Sequence, residues 1–177
     1  DDDSDDLTDS YQWRKDGTLT KHTDRTISNE FTHKGEEWEV TVTVYDDEAQ
    51  GASASAAVTI LNTPPELLSL IISPALPTEA TPLKAMHSVV DADDDGITYR
   101  YQWNVDGVDL NLPPYNLGTG DLSTLVPTYF RAGQVVSVTV TPYDDEIDGT
   151  PLTASVTIQN SPPSLGEVVM EPVVVYE

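Results

Sequence analysis

An internal repeat constrains this chain more than any other feature of its sequence. Residues 1–17 recur at residues 91–107 with a constant offset of 90 positions (91 − 1). A second block, residues 35–65, recurs at residues 133–163 with a constant offset of 98 positions (133 − 35). The offset grows because the second copy has a longer middle loop around residues 113–121. Two gapless blocks of this length indicate a repeat unit of about a hundred residues, the size of one β-sandwich domain.

The repeat predicts how the 177 residues are divided. We expect a partial repeat with strands C to G over residues 1–63, followed by a complete repeat over residues 64–161. Residues 162–177 are then a linker and the first strand of a third repeat. Each junction carries an Asn-x-Pro-Pro motif, which begins at Asn62 and at Asn160. Two successive prolines lack amide donors and fix φ, so they end a strand and stiffen the connection.

The apolar residues alternate with polar ones, which predicts strands and not helices. Val136, Val138 and Val140 share one face of a run whose other face carries Ser and Thr. This period of two is typical of half-buried strands, and Val, Ile and Thr favour them. In the complete copy we expect strands A, B, C, E, F and G at residues 66–73, 81–90, 97–105, 122–127, 134–142 and 151–160.

Trp13 and Trp103 occupy matching places in the two copies, each on the predicted strand C. A buried tryptophan on this strand is a feature of immunoglobulin-like sandwiches, so we expect both side chains to pack in a core. An exposed role in stacking against sugars is the alternative. The sequence therefore predicts an all-β chain of tandem immunoglobulin-like β-sandwich repeats.

Four motifs resemble those of tandem bacterial immunoglobulin-like repeats, which are related to PKD and cadherin-like repeats and occur in large surface adhesins. They are the Asp-x-Asp-x-Asp-Gly-like loop at 91–96, Tyr-x-Trp-x-x-Asp-Gly at 101–107, Val-x-Val-Thr-x-Tyr-Asp-Asp at 138–145 and the Asn-x-Pro-Pro linker. The resemblance covers nearly the whole chain. It implies a secreted, stalk-like or adhesive protein without catalysis, located outside the cell or at its surface.

The charge of the chain limits the classes of molecule that we expect it to bind. It carries 31 acidic and 8 basic residues, a formal net charge of −23, and no cysteine. So negative a surface repels nucleic acids and anionic lipids, and we expect neither nucleic-acid binding nor membrane insertion. The same surface needs counter-charge, which extracellular calcium can supply.

Two acidic loops in each copy predict where that calcium binds. In an immunoglobulin-like topology the B–C and F–G loops lie at the same end as the incoming linker, so their carboxylates crowd and repel one another. Calcium accepts six to eight oxygen ligands and relieves this repulsion. Solvated acidic loops without a metal are the alternative. The candidate ligands are Asp91, Asp93, Asp95, Asp144, Asp145, Asp148, Asn62 and Glu66 around the second copy, and Asp1, Asp3, Asp5, Asp46 and Asp47 in the first.

The leading functional hypothesis is a calcium-stiffened spacer in a surface adhesin, stalk or filament, with neighbouring repeats as its partners. One alternative is a module that binds a glycan or a cell-surface protein through the loop around Pro113, Pro114 and Tyr115. Another is an accessory domain of a secreted hydrolase. A third is a filament subunit in which other copies donate strands, although residues 164–177 are too short to replace the two strands of residues 66–90.

Catalysis is not expected from the residues present. His22, His33 and His87 lie at no spacing that pairs them with a nucleophile or a second metal-binding histidine. Paired carboxylates resemble the acid and base of a glycosidase, but an active site repeated in every module is improbable.

Overall fold

The computed structural model describes residues 6–46, 49–112 and 122–167. The first part of the chain forms one antiparallel sheet, which we call the single sheet. Its strands lie in the order β2-β1-β3-β4. Their bounds are β1 Thr8–Lys15, β2 Thr18–Leu19, β3 Glu37–Tyr45 and β4 Gln50–Thr59.

The rest of the described chain forms two sheets that pack face to face, which we call the sandwich. One sheet has the order β5-β6-β9 and the other the order β11-β10-β7-β8. The bounds are β5 Glu66–Ser73, β6 Leu83–Val90, β7 Thr98–Val105, β8 Val108–Asp109, β9 Thr124–Leu125, β10 Val135–Tyr143 and β11 Leu152–Thr157.

The core of the sandwich is built from the alternation seen in the sequence. Val136, Val138 and Val140 on β10 are 0% exposed, and Trp103 on β7 is equally buried. The indole N–H of Trp103 donates to the carbonyl of Leu122 at 3.0 Å, which satisfies its one polar atom. The expected core role of Trp103 is therefore confirmed. The other buried members of this core are Leu67, Ile72, Leu83, Ala85, Val105, Leu125, Phe130 and Ile158.

Six of the seven strands described in the sandwich fall on the six segments predicted for the complete copy, and the short strand β8 was not predicted. The all-β, immunoglobulin-like fold class is confirmed. Strand E is shorter than expected, since β9 holds only two residues of the predicted 122–127. A turn of 3-10 helix over Pro127–Tyr129 follows it, and a proline at that point has no amide to continue a ladder.

Two short strands come from Asp-Gly turns. Asp16 and Gly17 have φ of 48° and 74°, and Asp106 and Gly107 have φ of 50° and 84°. Positive φ at both central residues is the requirement of the tight turns that join hairpin strands. These turns fold β2 back on β1 and β8 back on β7.

The single sheet repeats one layer of the sandwich. Strands β1, β2, β3 and β4 match β7, β8, β10 and β11 in order and pairing. Trp13 donates its indole N–H to the carbonyl of Asp24 at 2.8 Å, just as Trp103 donates to Leu122. Trp13 is only half-buried, however. Among the described residues, the first copy has no strand at 26–27, where the second copy has β9.

Gly149 allows the linker to approach the sandwich closely. A Cβ at this position would lie 1.9 Å from the carbonyl oxygen of Pro65 and 2.8 Å from Cγ of Pro142. Next to Gly149, Thr150 forms an isolated parallel β-bridge with Glu66 at the start of β5. The glycine therefore lets the linker and β5 lie against the edge of the other sheet.

We predict that Gly149→Ala destabilises the protein by about 1–3 kcal/mol, the usual cost of forcing an extra methyl into a packed contact. The measurement is urea unfolding followed by fluorescence. Gly96→Ala is the control, because no atom lies within 4 Å of its added Cβ and its φ is not positive. Equal unfolding midpoints for the two variants would contradict the close approach at Pro65.

Candidate metal centre

Three segments that are distant in sequence meet where the single sheet joins the sandwich. The linker after β4 supplies Asn62 and Thr63, the loop after β6 supplies Asp93, and the loop after β10 supplies Asp144. The amide side chain of Asn62 donates to Oδ2 of Asp144 at 2.8 Å. The backbone N–H of Thr63 donates to Oδ2 of Asp93 at 2.7 Å. The linker is thus fastened to both acidic loops.

The loop after β6 is folded around Asp91. Its Oδ1 accepts the backbone N–H groups of Asp93 at 2.9 Å and of Asp95 at 3.3 Å. Asp94 between them has φ of 58°, a left-handed conformation that Asp tolerates better than most residues. These bonds turn alternate side chains to one point, so that carboxylate oxygens of Asp91, Asp93 and Asp95 lie within 4.8 Å of one another.

The second oxygen of Asp91 tests whether a cation fits this loop. Oδ2 of Asp91 is buried and has no hydrogen-bond partner. A buried acceptor without a partner costs about 1–3 kcal/mol, and more when it is charged. Carboxylate oxygens in this arrangement are the ligands that a hard cation such as calcium prefers. The donor set of Asp91, Asp93 and Asp95 therefore fits a calcium ion.

Lys34 ties the single sheet to both acidic loops. Its ammonium donates to Oδ2 of Asp95 at 2.5 Å, to Oε1 of Glu146 at 2.7 Å and to Oδ1 of Asn62 at 3.1 Å. The hydrogen bonds to Asp95 and then Glu146 raise the pKa of Lys34 above its ordinary value, so the ammonium is charged. Its side chain is only 28% exposed, which reduces screening by solvent.

Lys34 reaches the junction because of its place in the fold. It precedes β3 in a turn where the N–H of Gly35 donates to the carbonyl of Ile60 at 2.8 Å. That bond holds the turn against the end of β4, where the linker begins. Sequence reasoning missed Lys34, although the turn before strand F must lie beside the end of strand G when the two strands pair.

Asp144 organises the loop after β10. It is buried, and its Oδ1 accepts the N–H groups of Ile147 at 2.7 Å and Glu146 at 2.9 Å. These bonds, the one from Ile147 first, and the bond from Asn62 lower the pKa of Asp144. Its carboxylate is therefore ionised and holds both its own loop and the linker.

The remaining predicted ligands lie in different surroundings. Asp148 forms an ion pair with Arg100 on β7, and Asp145 is exposed with φ of 72°. Glu66 is exposed at the start of β5, and Oδ1 of Asp46 accepts the N–H of Ala49 at 2.5 Å. Outside the described residues lie Asp1, Asp3, Asp5 and Asp47, together with the loop around Pro113, Pro114 and Tyr115.

The histidine on β6, His87, contacts two tyrosines of β7. Its Nε2 is 2.8 Å from the hydroxyl of Tyr101, and its ring lies 4.2 Å from that of Tyr99, centroid to centroid. Burial lowers the pKa of His87. The side chain is thus packed between the sheets against two tyrosines.

Comparison with known proteins finds likenesses among solved structures. No family model matches the chain, and no curated protein matches it. The crystal structure of chicken CNTN1 FN1–FN3 domains is similar over 88% of this chain, with 7% identity and a TM-score of 0.35. The structure of Sidekick-1 immunoglobulin domains 1–5 is similar over 86% of it, with 12% identity and a TM-score of 0.30. The chain spans 57% and 34% of those two chains, and at these scores neither likeness carries a functional argument.

The described residues contain no helix with the length and apolar character needed to cross a bilayer.

We predict that Lys34→Ala loosens the junction without unfolding either part. The melting temperature should fall by no more than about a degree or two, because partly exposed ion pairs contribute little to stability. Amide ¹⁵N relaxation should instead show the single sheet and the sandwich tumbling more independently. Lys84→Ala on β6 is the control for loss of one positive charge. Unchanged relaxation in Lys34→Ala would show that the ammonium does not hold the junction.

Proposed function

We propose that this chain is a structural, non-catalytic module, whose repeats are joined by a calcium-binding junction and act as a stiff spacer in an extracellular adhesin, stalk or filament. The observation that carries the proposal is the buried, unpartnered Oδ2 of Asp91 among converging carboxylates at the linker. A metal placed there touches the loop that already holds the linker at Thr63. Binding and stiffness are therefore coupled through the same residues.

The residues that would hold calcium are Asp91, Asp93 and Asp95. When bound, the ion supplies positive charge to the three carboxylates, of which only Asp95 already contacts the ammonium of Lys34. Asp93 keeps the backbone N–H of Thr63 fixed, and Asp144 keeps Asn62 fixed from the other loop. With Lys34 on Asp95 and Glu146, these contacts restrict rotation of the linker about its own axis.

The chemistry of such a site supports the proposed extracellular location. Three half-buried residues without a dedicated bidentate carboxylate make a weak calcium site, and weak sites of extracellular modules work at about 10⁻⁴–10⁻³ M. Free calcium reaches that range outside cells. The strong negative charge also keeps a long array of such repeats soluble and apart from nucleic acids.

We predict that calcium raises the melting temperature of the whole chain and that EDTA reverses the rise. A ligand that binds only the folded state adds about 2.7 kcal/mol at a hundredfold excess over its dissociation constant. For a chain of this size that is a shift of several degrees. The measurement is differential scanning calorimetry at millimolar calcium and in excess EDTA.

Asp91→Asn is the decisive variant. The amide oxygen can still accept the N–H groups of Asp93 and Asp95, while its NH₂ group replaces the oxygen that would bind calcium. The calcium-dependent rise should disappear in this variant. Asp109→Asn on β8 is the control. It removes the same charge, but the side chain of Asp109 bonds Asn104 and is not one of the proposed calcium ligands. A rise that survives Asp91→Asn would refute this site.

A further inference from the structure

The single sheet has an apolar face that no second sheet covers among the described residues. Val58 on β4 is 58% exposed, and Val40 and Val42 on β3 are partly exposed. In the sandwich, the residues that match Val40 and Val42 are Val138 and Val140 on β10, and both are 0% exposed. The same positions of the repeat are thus core in one copy and surface in the other.

A groove on this face corresponds to the core of the sandwich. It has a volume of about 160 Å³. The residues that line it are Trp13, Ile27, Thr32, Trp38, Val58 and Ile60. Their counterparts in the second copy are Trp103, Leu125, Phe130, Val136, Val156 and Ile158, all of which belong to the core or pack against it. The groove therefore lies at a position that is core in the second copy of the repeat.

The sandwich shows what fills the matching position. Leu83 and Ala85 on β6 and Leu67 and Ile72 on β5 bury their side chains against β7, β10 and β11. Strand β6 also pairs with β9, where Leu83 lies opposite Leu125. The covering layer thus supplies both apolar side chains and a partner for the backbone of strand E.

The segment at Thr26 and Ile27 shows the effect of lacking that layer. It has the sequence position of β9 and places Ile27 in the groove, but it forms no strand. The turn of 3-10 helix that follows β9 is present here too, at Asn29–Phe31. Local structure is therefore preserved, and only the strand that needs a partner is lost.

We infer that the apolar face of the single sheet binds a β-hairpin of the β5–β6 kind. This hairpin carries apolar side chains at the positions of Leu67 and Ile72 on its first strand and of Leu83 and Ala85 on its second. Its second strand pairs with Thr26 and Ile27 and completes a strand E. The occupant is a hairpin and not a helix, because the matching segment of the second copy, Thr124–Leu125, pairs with a strand of such a hairpin. This inference does not rest on calcium binding.

The repeat provides the test. Asp91 matches Asp1 at the offset of 90, so a copy of residues 66–90 fused ahead of Asp1 joins it as Val90 joins Asp91 in the second copy. In this fusion we expect the amide of Ile27 to gain protection from hydrogen exchange and to match that of its counterpart Leu125, which lies in a strand paired with β6. We also expect acrylamide to quench Trp13 less, while Trp103 stays buried in both proteins.

The control is the same fusion with Leu83→Asp in the added copy alone, which should restore fast exchange at Ile27. If the unsubstituted fusion leaves Ile27 exchange and Trp13 quenching unchanged, the proposal is wrong. A dimer of the original chain that the fusion fails to dissociate in sedimentation velocity would show instead that a second copy covers the face. Where the fusion is poorly soluble, a peptide of residues 64–90 added to the original chain decides the matter by the same two readouts.

Discussion

Repulsion among carboxylates at the linker is the constraint on which the arrangement of this protein depends. Asp93, Asp95, Asp144 and Glu146 come together within a chain of net charge −23. They remain close because donors face them from the backbone, from Asn62 and from Lys34. One of these donors, Lys34, carries a full positive charge. The calcium ion proposed at Asp91, Asp93 and Asp95 would supply further positive charge. The linker that these contacts hold leads into β5, and Pro65 just before β5 lies against Gly149.

The two copies show how much of an immunoglobulin-like layer is fixed by its own residues. Both layers keep the Asp-Gly turn, the indole bond of Trp13 or Trp103 and the paired hydroxyls on the outer face. Thr41 bonds Ser55 in one copy as Thr139 bonds Thr153 in the other, at 2.8 Å each. Burial and strand E differ, because these depend on the facing sheet. Cross-strand pairing thus survives without a partner layer, whereas fewer apolar side chains are buried: Trp38 is 3% exposed, but Val58 is 58% exposed.

Much of this fold could be predicted from the sequence because a period of two sets the faces of strands such as β10, and the repeat sets their register. The convergence of the acidic loops with the linker followed from topology. The partners of individual charges did not follow, since a long side chain selects its partner in three dimensions. Asp148 pairs with Arg100, and Lys34 crosses from one copy to the other. The length of strand E was overestimated, because the proline that follows β9 ends the ladder after two residues.

Residual dipolar couplings of the full chain, measured with calcium and with EDTA, test the central claim most directly. They report the orientation of the single sheet relative to the sandwich. A junction held by charge and calcium predicts that one alignment tensor fits both parts when calcium is present, and that two tensors are needed when it is removed. Two independent tensors in both conditions would contradict this account, because the converging carboxylates would then not determine how the repeats are joined.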